Sequence, residues 1–259
     1  MKLAVAGKGG VGKTTLVALL AREAVTRGYR VIAVDADPDA NLAMTLGIHT
    51  PIVTLAEAHD LIKERVGAKG LVKLNPTVDD IPDRYSVEQD GIRLLVLGGV
   101  RQGGGGCACP ANALLHSLLR HLFLRQGEVV LVDMEAGIEH LGRGTVQGVD
   151  SLVVVVEGDR RSLETAARIV HLAHEIGLDR ILAVGNKIRQ PEEEALIREG
   201  LPDGIPLLSV LSYVEELRVT GLSGNLREGS SPSAVQDLFT LLEGQVGSAT
   251  VSSEPRVSF

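Results

Sequence analysis

Aromatic residues are almost missing: the 259-residue chain has three Tyr, three Phe and no Trp. The core must therefore be filled by Val, Leu, Ile and Ala, and no row of aromatic platforms is available for stacking successive nucleobases, which argues against single-strand nucleic-acid binding. A basic excess is missing too. The formal charge is -7 and the pI is near 5.5, against a broad electrostatic footprint on DNA or on an anionic membrane. No apolar run approaches bilayer-spanning length, and Met1-Lys2 leads straight into an apolar strand rather than into a secretory signal. A cytoplasmic protein with no nucleic-acid partner and no stable membrane association is expected. Cysteine is scarce, with two residues, and in a reducing compartment these read as metal or redox ligands before they read as a disulfide.

What is present is a chain that is 44% hydrophobic, enough for one large core. Short β-branched runs at Leu3–Ala6, Val31–Asp35, Ile92–Leu97, Val129–Asp133, Leu152–Glu157, Ile181–Asn186 and Pro206–Val210 alternate with helical periodicity. This predicts an α/β fold, a doubly wound and mostly parallel sheet with helices on both faces. Two helical stripes are countable, Leu16, Leu19, Leu20 and Ala24, then Leu163, Ala166, Ala167 and Val170. The charged segment of about 50–90, with Asn75-Pro76 and Ile81-Pro82, reads as an insertion on the rim. Residues 1–245 are expected to form one domain and 246–259 a disordered tail.

Gly7-Lys8-Gly9-Gly10-Val11-Gly12-Lys13-Thr14 matches G-x-x-x-x-G-K-[ST] between a predicted strand and a predicted helix. Backbone N–H groups of Gly9, Gly10, Val11, Gly12, Lys13, Thr14 and Thr15 are expected to cradle ATP or ADP phosphates at the positive end of the helix dipole. Lys13 would reach the β and γ oxygens and Thr14 would ligate Mg²⁺. Val129 to Val132 then lead into Asp133-Met134-Glu135-Ala136-Gly137, the pattern of a Walker B strand followed by a switch glycine. Asp133 is expected to hold Mg²⁺ through water and the Gly137 amide to sense the γ-phosphate.

Lys8 makes this the deviant form K-G-G-x-G-K-[ST], which resembles the MinD, ParA and nitrogenase iron-protein superfamily of P-loop NTPases. The resemblance implies ATP hydrolysis by a nucleotide-controlled homodimer in which Lys8 reaches the partner's phosphates. Asp35-Ala36-Asp37-Pro38-Asp39-Ala40-Asn41 resembles that superfamily's switch I, which implies that Asp37 activates the attacking water and Asn41 lies near magnesium; helix capping is the plainer reading of the same turn. Asn186-Lys187-Ile188-Arg189 is similar to a base-recognition segment, with Asn186 as the adenine contact. Arg189 stands where GTPases carry Asp, and a donor-only side chain cannot pair with guanine N1–H and N2–H.

Cys107-Ala108-Cys109 follows Gly103 to Gly106 and precedes Pro110, at the start of a predicted helix through Leu114, Leu115, Leu118 and Leu122. A disulfide within C-x-C would be strained and would barely constrain the unfolded chain. Two thiolates are few for a soft metal, whereas a two-fold axis would assemble four. The ligand set leaves Ni²⁺ and Zn²⁺ both open. The P-loop, the C-x-C and the run Asp133 to His140 together resemble the CooC family of nickel-insertion ATPases and the related AcsF group, over Met1 to about Leu242. That resemblance implies Ni²⁺ held by Cys107 and Cys109 across a homodimer, with a nickel enzyme, carbon monoxide dehydrogenase or acetyl-CoA synthase, as client. One departure is Glu135, where some relatives carry Gly. A subunit-bridging iron–sulfur cluster in a carrier or ATP-driven reductase is a second reading, and a MinD-like membrane-positioning ATPase a third. None of His140, His171 and His174 is assigned as a ligand.

Overall fold

The computed structural model describes residues 1–67, 73, 75–98, 109–124, 127–135, 138, 141, 146–215, 217 and 232–250, with backbone alone at 109, 110, 124, 147 and 247–250. Eight strands form one sheet in the order β3-β4-β2-β5-β1-β6-β7-β8. They are β1 (Lys2–Gly7), β2 (Arg30–Asp35), β3 (Val87–Gln89), β4 (Ile92–Val96), β5 (Glu128–Asp133), β6 (Ser151–Val156), β7 (Ile181–Ile188) and β8 (Leu207–Ser212). All neighbours are parallel except β3, which pairs antiparallel with β4.

Strands β1, β5 and β6 are buried along their whole length, as expected of parallel strands covered on both faces. The two-residue period divides their side chains. Leu3, Val5, Leu131, Val153 and Val155 enter one core with helices α1 (Lys13–Thr26) and α8 (Ser233–Thr250). Ala4, Ala6, Val132, Leu152 and Val154 enter the other, with α5 (Cys109–Leu124), α6 (Arg160–Ile176) and α7 (Pro191–Gly200). Strand β5 is inserted between β2 and β1, and the chain then crosses to β6 on the far side of β1. Loops leaving the carboxyl ends of these strands diverge there, which opens the crevice where ligands bind in such sheets.

Five differences from the sequence reading have physical causes. Strand β3 was not foreseen, because a three-residue edge strand shows no alternation. The segment of about 50–90 is more than a rim insertion. Preceded by α2 (Leu42–Leu46), it contains a 3-10 turn at Leu55–Glu57, α3 (His59–Arg65) and α4 (Ile81–Tyr85), and it buries Leu55, Leu61, Ile62, Val66, Val78 and Ile81 in the core beside α5. Its charges are paired outside that core, Arg65 with Asp80 at 2.7 Å, Arg84 with Asp80 at 3.0 Å and Arg93 with Asp83 at 2.7 Å. On α6 the buried stripe runs through Leu163, Ala166, Ile169, Val170 and Ala173, and Ala167 is exposed. Helix α8 extends to Thr250, anchored by buried Leu238, Phe239 and Leu242, so the expected tail begins five residues too early; residues 251–259 lie outside the described residues. Finally, β7 runs on to Ile188 through register shifts against β8, with Lys187 at φ 60°.

Among the described residues no helix is long and apolar enough to cross a membrane. The charged residues of α8 are Asp237 and Glu243, so it lacks the basic face of a membrane-binding amphipathic helix.

Candidate active site

The loop after β1 is shaped by two glycines that nothing else could replace. At Gly7 a Cβ would lie 2.4 Å from the Val155 carbonyl oxygen of β6. Gly12, at φ 97°, is the N-cap of α1, and a Cβ there would lie 2.5 Å from Asn186 Nδ2. Gly9 and Gly10 face open space instead, and that is what a backbone cradle for phosphate requires. The loop is held from β7, where Asn186 Nδ2 donates to the Val11 carbonyl at 2.8 Å and Lys187 Nζ donates to the Gly10 carbonyl. Glu157 at the end of β6 orients that lysine at 2.8 Å.

Lys13 is buried and its ammonium lies 3.4 Å from the Lys8 carbonyl, folded back over the loop. Val5 of β1 is in register with Asp133 of β5, and Asp133 with Asp35 of β2. Three strand ends thus gather two buried carboxylates next to the phosphate loop. Burial pushes the Asp133 carboxyl up to about 7; the Thr14 hydroxyl opposes this, the Asp35 charge adds to it and Lys13 opposes it. Neither Asp133 oxygen has a hydrogen-bond partner of good geometry among the described residues. A buried, unpartnered carboxylate beside a threonine hydroxyl and open backbone amides fits a hydrated magnesium ion on a nucleotide.

Asp35, at the end of β2, has a part in the site that the local sequence does not signal. Its Oδ1 accepts from the Asp37 N–H at 3.1 Å and its Oδ2 from the Leu42 N–H at 2.9 Å. The carboxylate thereby pins both ends of the Asp37–Asn41 loop. Burial raises its pKa to about 6 against those two N–H groups. Asp37 is half-buried, accepts from the Asp39 N–H at 2.9 Å, and lines the cavity with Asn41, which precedes α2 without a side-chain cap.

Lys8 points away from the loop to Asp159, with Nζ 3.3 and 3.2 Å from its two oxygens. Asp159 also caps α6 by accepting from the Ser162 N–H at 3.0 Å. Burial works to raise the Asp159 pKa, but Ser162 and Lys8 outweigh it and hold it low. Sequence reasoning missed this partner; the D-x-x-S pattern after β6 signals the cap, while nothing local signals an ion pair across 151 residues.

The surrounding cavity, of about 1110 Å³, runs from Gly9, Gly12, Lys13 and Thr14 past Asn186 to Tyr213 and Val235. It is large enough for a nucleoside triphosphate. Of the other expected residues, Gly137, His140 and Cys107 lie outside the described residues, and Cys109 is the first residue of α5, with its side chain outside them. Glu135 is exposed, and His171 and His174 are on the solvent face of α6, His171 3.4 Å from Glu175.

A family model for the CobQ/CobB/MinD/ParA nucleotide binding domain matches residues 2–226. The chain belongs to that family, and it is a P-loop ATPase of the MinD/ParA type. Within the family it is similar to the carbon monoxide dehydrogenase accessory protein CooC of Rhodospirillum rubrum, 44% identical over 232 residues, which are 86% of this chain and 88% of that protein. It is equally similar to an uncharacterized ATP-binding protein of Methanocaldococcus jannaschii, 44% identical over 84% of this chain and 87% of that one. The fold is that of the septum site-determining protein MinD of Pyrococcus horikoshii, solved with Mg-ADP, at a TM-score of 0.69 and 21% identity over 95% of this chain and 96% of that one.

Proposed function

We propose that this ATPase is a cytoplasmic maturation factor that delivers nickel to carbon monoxide dehydrogenase or acetyl-CoA synthase, working as a homodimer whose closure is set by ATP. The observation that carries the reading is a dimer-type P-loop lysine in the same chain as a C-x-C pair at the start of α5, in a protein 44% identical to CooC. Helix α5 is reached from the carboxyl end of β4, and parallel pairing makes that the edge of the sheet that carries the phosphate loop.

In this reading the backbone of Gly9 to Thr15 binds the phosphates and Lys13 leaves the Lys8 carbonyl for the β and γ oxygens. Thr14 and Asp133 would hold magnesium, which neutralises phosphate charge when bound. Asp37 takes a proton from the attacking water as the bond to the γ-phosphorus forms, and ADP leaves with the electrons of the broken P–O bond. Gly137 senses the γ-phosphate, and Asn186 contacts adenine while holding Val11. Lys8 exchanges Asp159 for the partner's phosphates, so that charge stabilisation is complete only in the dimer. Cys107 and Cys109 of two chains supply four sulfurs for Ni²⁺, with Zn²⁺ as a competing occupant.

Sedimentation with and without Ni²⁺ tests it. Cys107→Ala with Cys109→Ala should abolish nickel-dependent dimerisation and leave ATP binding intact. Nickel-induced dimers that survive the double change would sink the delivery role, and iron with visible absorption in anaerobically purified protein would favour a cluster carrier instead.

A further inference from the structure

Two carboxylates stand in register at the ends of neighbouring strands, Asp35 on β2 and Asp133 on β5, and the reaction described above uses Asp133 alone. Their hydrogen bonding differs. Neither Asp133 oxygen has a partner of good geometry among the described residues, whereas Asp35 accepts an N–H on each oxygen, from Asp37 at 3.1 Å and from Leu42 at 2.9 Å. Asp133 is open to a hydrated ion, and Asp35 is committed to its own chain.

Asp35 is a fixed post. It is fully buried, and its backbone is held from both sides. The Leu97 N–H, just beyond β4, donates to the Asp35 carbonyl at 2.8 Å, and the Ala36 N–H donates to the Asp133 carbonyl at 2.9 Å. The far end of the clamp is anchored too, because Leu42 is fully buried in the core shared with α1. Between these anchors the chain is bonded to itself. Asp37 Oδ1 accepts from the Asp39 N–H at 2.9 Å, and the Asp37 carbonyl accepts from the Ala40 N–H at 3.0 Å. Ala40 sits at φ 47°, a left-handed conformation that a residue with a Cβ keeps only where its surroundings over-determine it. The two bonds to Asp35 supply that constraint from either side of Ala40. The closed loop holds Asp37 at the wall of the cavity that it lines with Lys13 and Thr14.

We propose that Asp35 is the positioning residue of hydrolysis: by bonding the Asp37 and Leu42 N–H groups it fixes the Asp37 carboxylate against the attacking water, and it touches neither water nor nucleotide itself. This rests on the reading that Asp37 takes the proton from that water, and it adds the group that holds Asp37 in place to do so. Misplacing a catalytic group by about 1 Å costs roughly 10²-fold in rate, while the loop of Gly9 to Thr15 binds phosphates as before. Asparagine cannot replace Asp35 fully. Its side chain has one acceptor oxygen for two N–H groups and turns its own N–H₂ toward the second.

The test is steady-state hydrolysis of Mg-ATP beside equilibrium binding of Mg-ATP, both on the full chain. Asp35→Ala should lower kcat about 10²-fold and leave ATP affinity within about threefold of the parent. Asp35→Asn, which keeps the side-chain volume and so guards against a folding defect, should fall between the two in kcat with the same affinity. Asp37→Ala should cost about 10²- to 10⁴-fold. The double variant should lose no more than Asp37→Ala alone, since Asp35 then has nothing left to position, whereas a general loosening of the structure would lower that background further. Unchanged turnover in both Asp35 variants, affinity falling in step with turnover, or a double variant about 10²-fold below Asp37→Ala would overturn the role of Asp35. Parent turnover in Asp37→Ala would overturn the underlying reading of Asp37 instead, whatever Asp35 does.

Discussion

The Lys8 ammonium is 3.2 Å from the nearer oxygen of Asp159, the same carboxylate that caps α6. In a single subunit, then, the signature lysine is docked on its own chain. The two side chains are 33% and 39% exposed, so water and salt screen the pair and leaving it is cheap. An ion pair of this kind suits a group that has to change partners.

Replacing Asp159 with Ser separates its two jobs, because Ser remains a good N-cap and carries no charge. Thermal stability should change by only a few tenths of a kcal/mol. The dimer fraction at a given ATP concentration should rise, since Lys8 no longer has a competing partner. Analytical ultracentrifugation reads this, and an unchanged or lower dimer fraction would count against the exchange. Lys8→Ala should bind ATP nearly as the parent does and lose roughly 10³-fold in turnover, the scale of a charge supplied in trans.

The buried carboxylates predict an unusual pH response. In the metal-free folded chain Asp35 and Asp133 hold protons up to about 6 and about 7, while their ordinary value is 3.8. As pH rises from about 4 to about 7, the unfolded state releases these protons first, and the folded state loses stability over that window. Above it the penalty is constant. Asp80 and Asp159, held low by their cationic partners, act in the opposite sense only as pH falls below the ordinary carboxylate range. Metal-free protein should therefore melt higher at about pH 5 than at about pH 8, and Asp133→Asn should flatten the difference. Scanning calorimetry checks both, and a melting point that rises steadily to about pH 8 would contradict the assignment.

Much of this site was legible because its parts are local. The P-loop, the strand ending at Asp133 and the turn at Asp37 each carry their residues within a few positions, and parallel strands bring those loops to one edge. The relationships between loops were not legible. Asp35 holding Leu42, Asp159 holding Lys8 and Asn186 holding Val11 depend on how the strands are ordered, and the insertion of β5 between β1 and β2 is written in no single segment. The same limit explains the rim. Its charged, Asp-rich stretch reads as a rim insertion, yet Leu55, Leu61 and Ile81 are buried, because short helices of mixed composition show their apolar face only against α5.

Glycine substitutions distinguish backbone need from empty space. Gly12→Ala would place a Cβ 2.5 Å from Asn186 Nδ2 at φ 97°, and Gly7→Ala one 2.4 Å from a backbone oxygen. Both should lose ATP binding and about 1–3 kcal/mol of stability. At Gly9 a Cβ meets nothing, so Gly9→Ala should fold with near-parent stability and lose affinity only because it crowds the phosphates. Denaturant melts paired with ATP titration separate the three, and a Gly9→Ala protein as unstable as Gly12→Ala would contradict the geometry.

Helix α8 offers the last test, since its first residues line the nucleotide cavity while its middle is fastened to α1. Phe239 is fully buried, with the Arg27 guanidinium 4.7 Å from its ring centroid. Arg27 also binds Glu243 at 2.6 Å and the Gln236 carbonyl at 2.8 Å. Phe239→Ala should cost roughly 3–5 kcal/mol through the cavity it leaves. It should also reduce the melting-point increase that saturating Mg-ATP produces, because Pro232 to Val235 lose their support at the base end of the site. Leu241 on the same helix is 45% exposed, and Leu241→Ala should stay within about 0.5 kcal/mol of the parent with its ATP response intact. If Phe239→Ala lowered stability but kept the full ATP-induced shift, α8 would be a structural brace alone and the cavity would owe its shape to the strand ends.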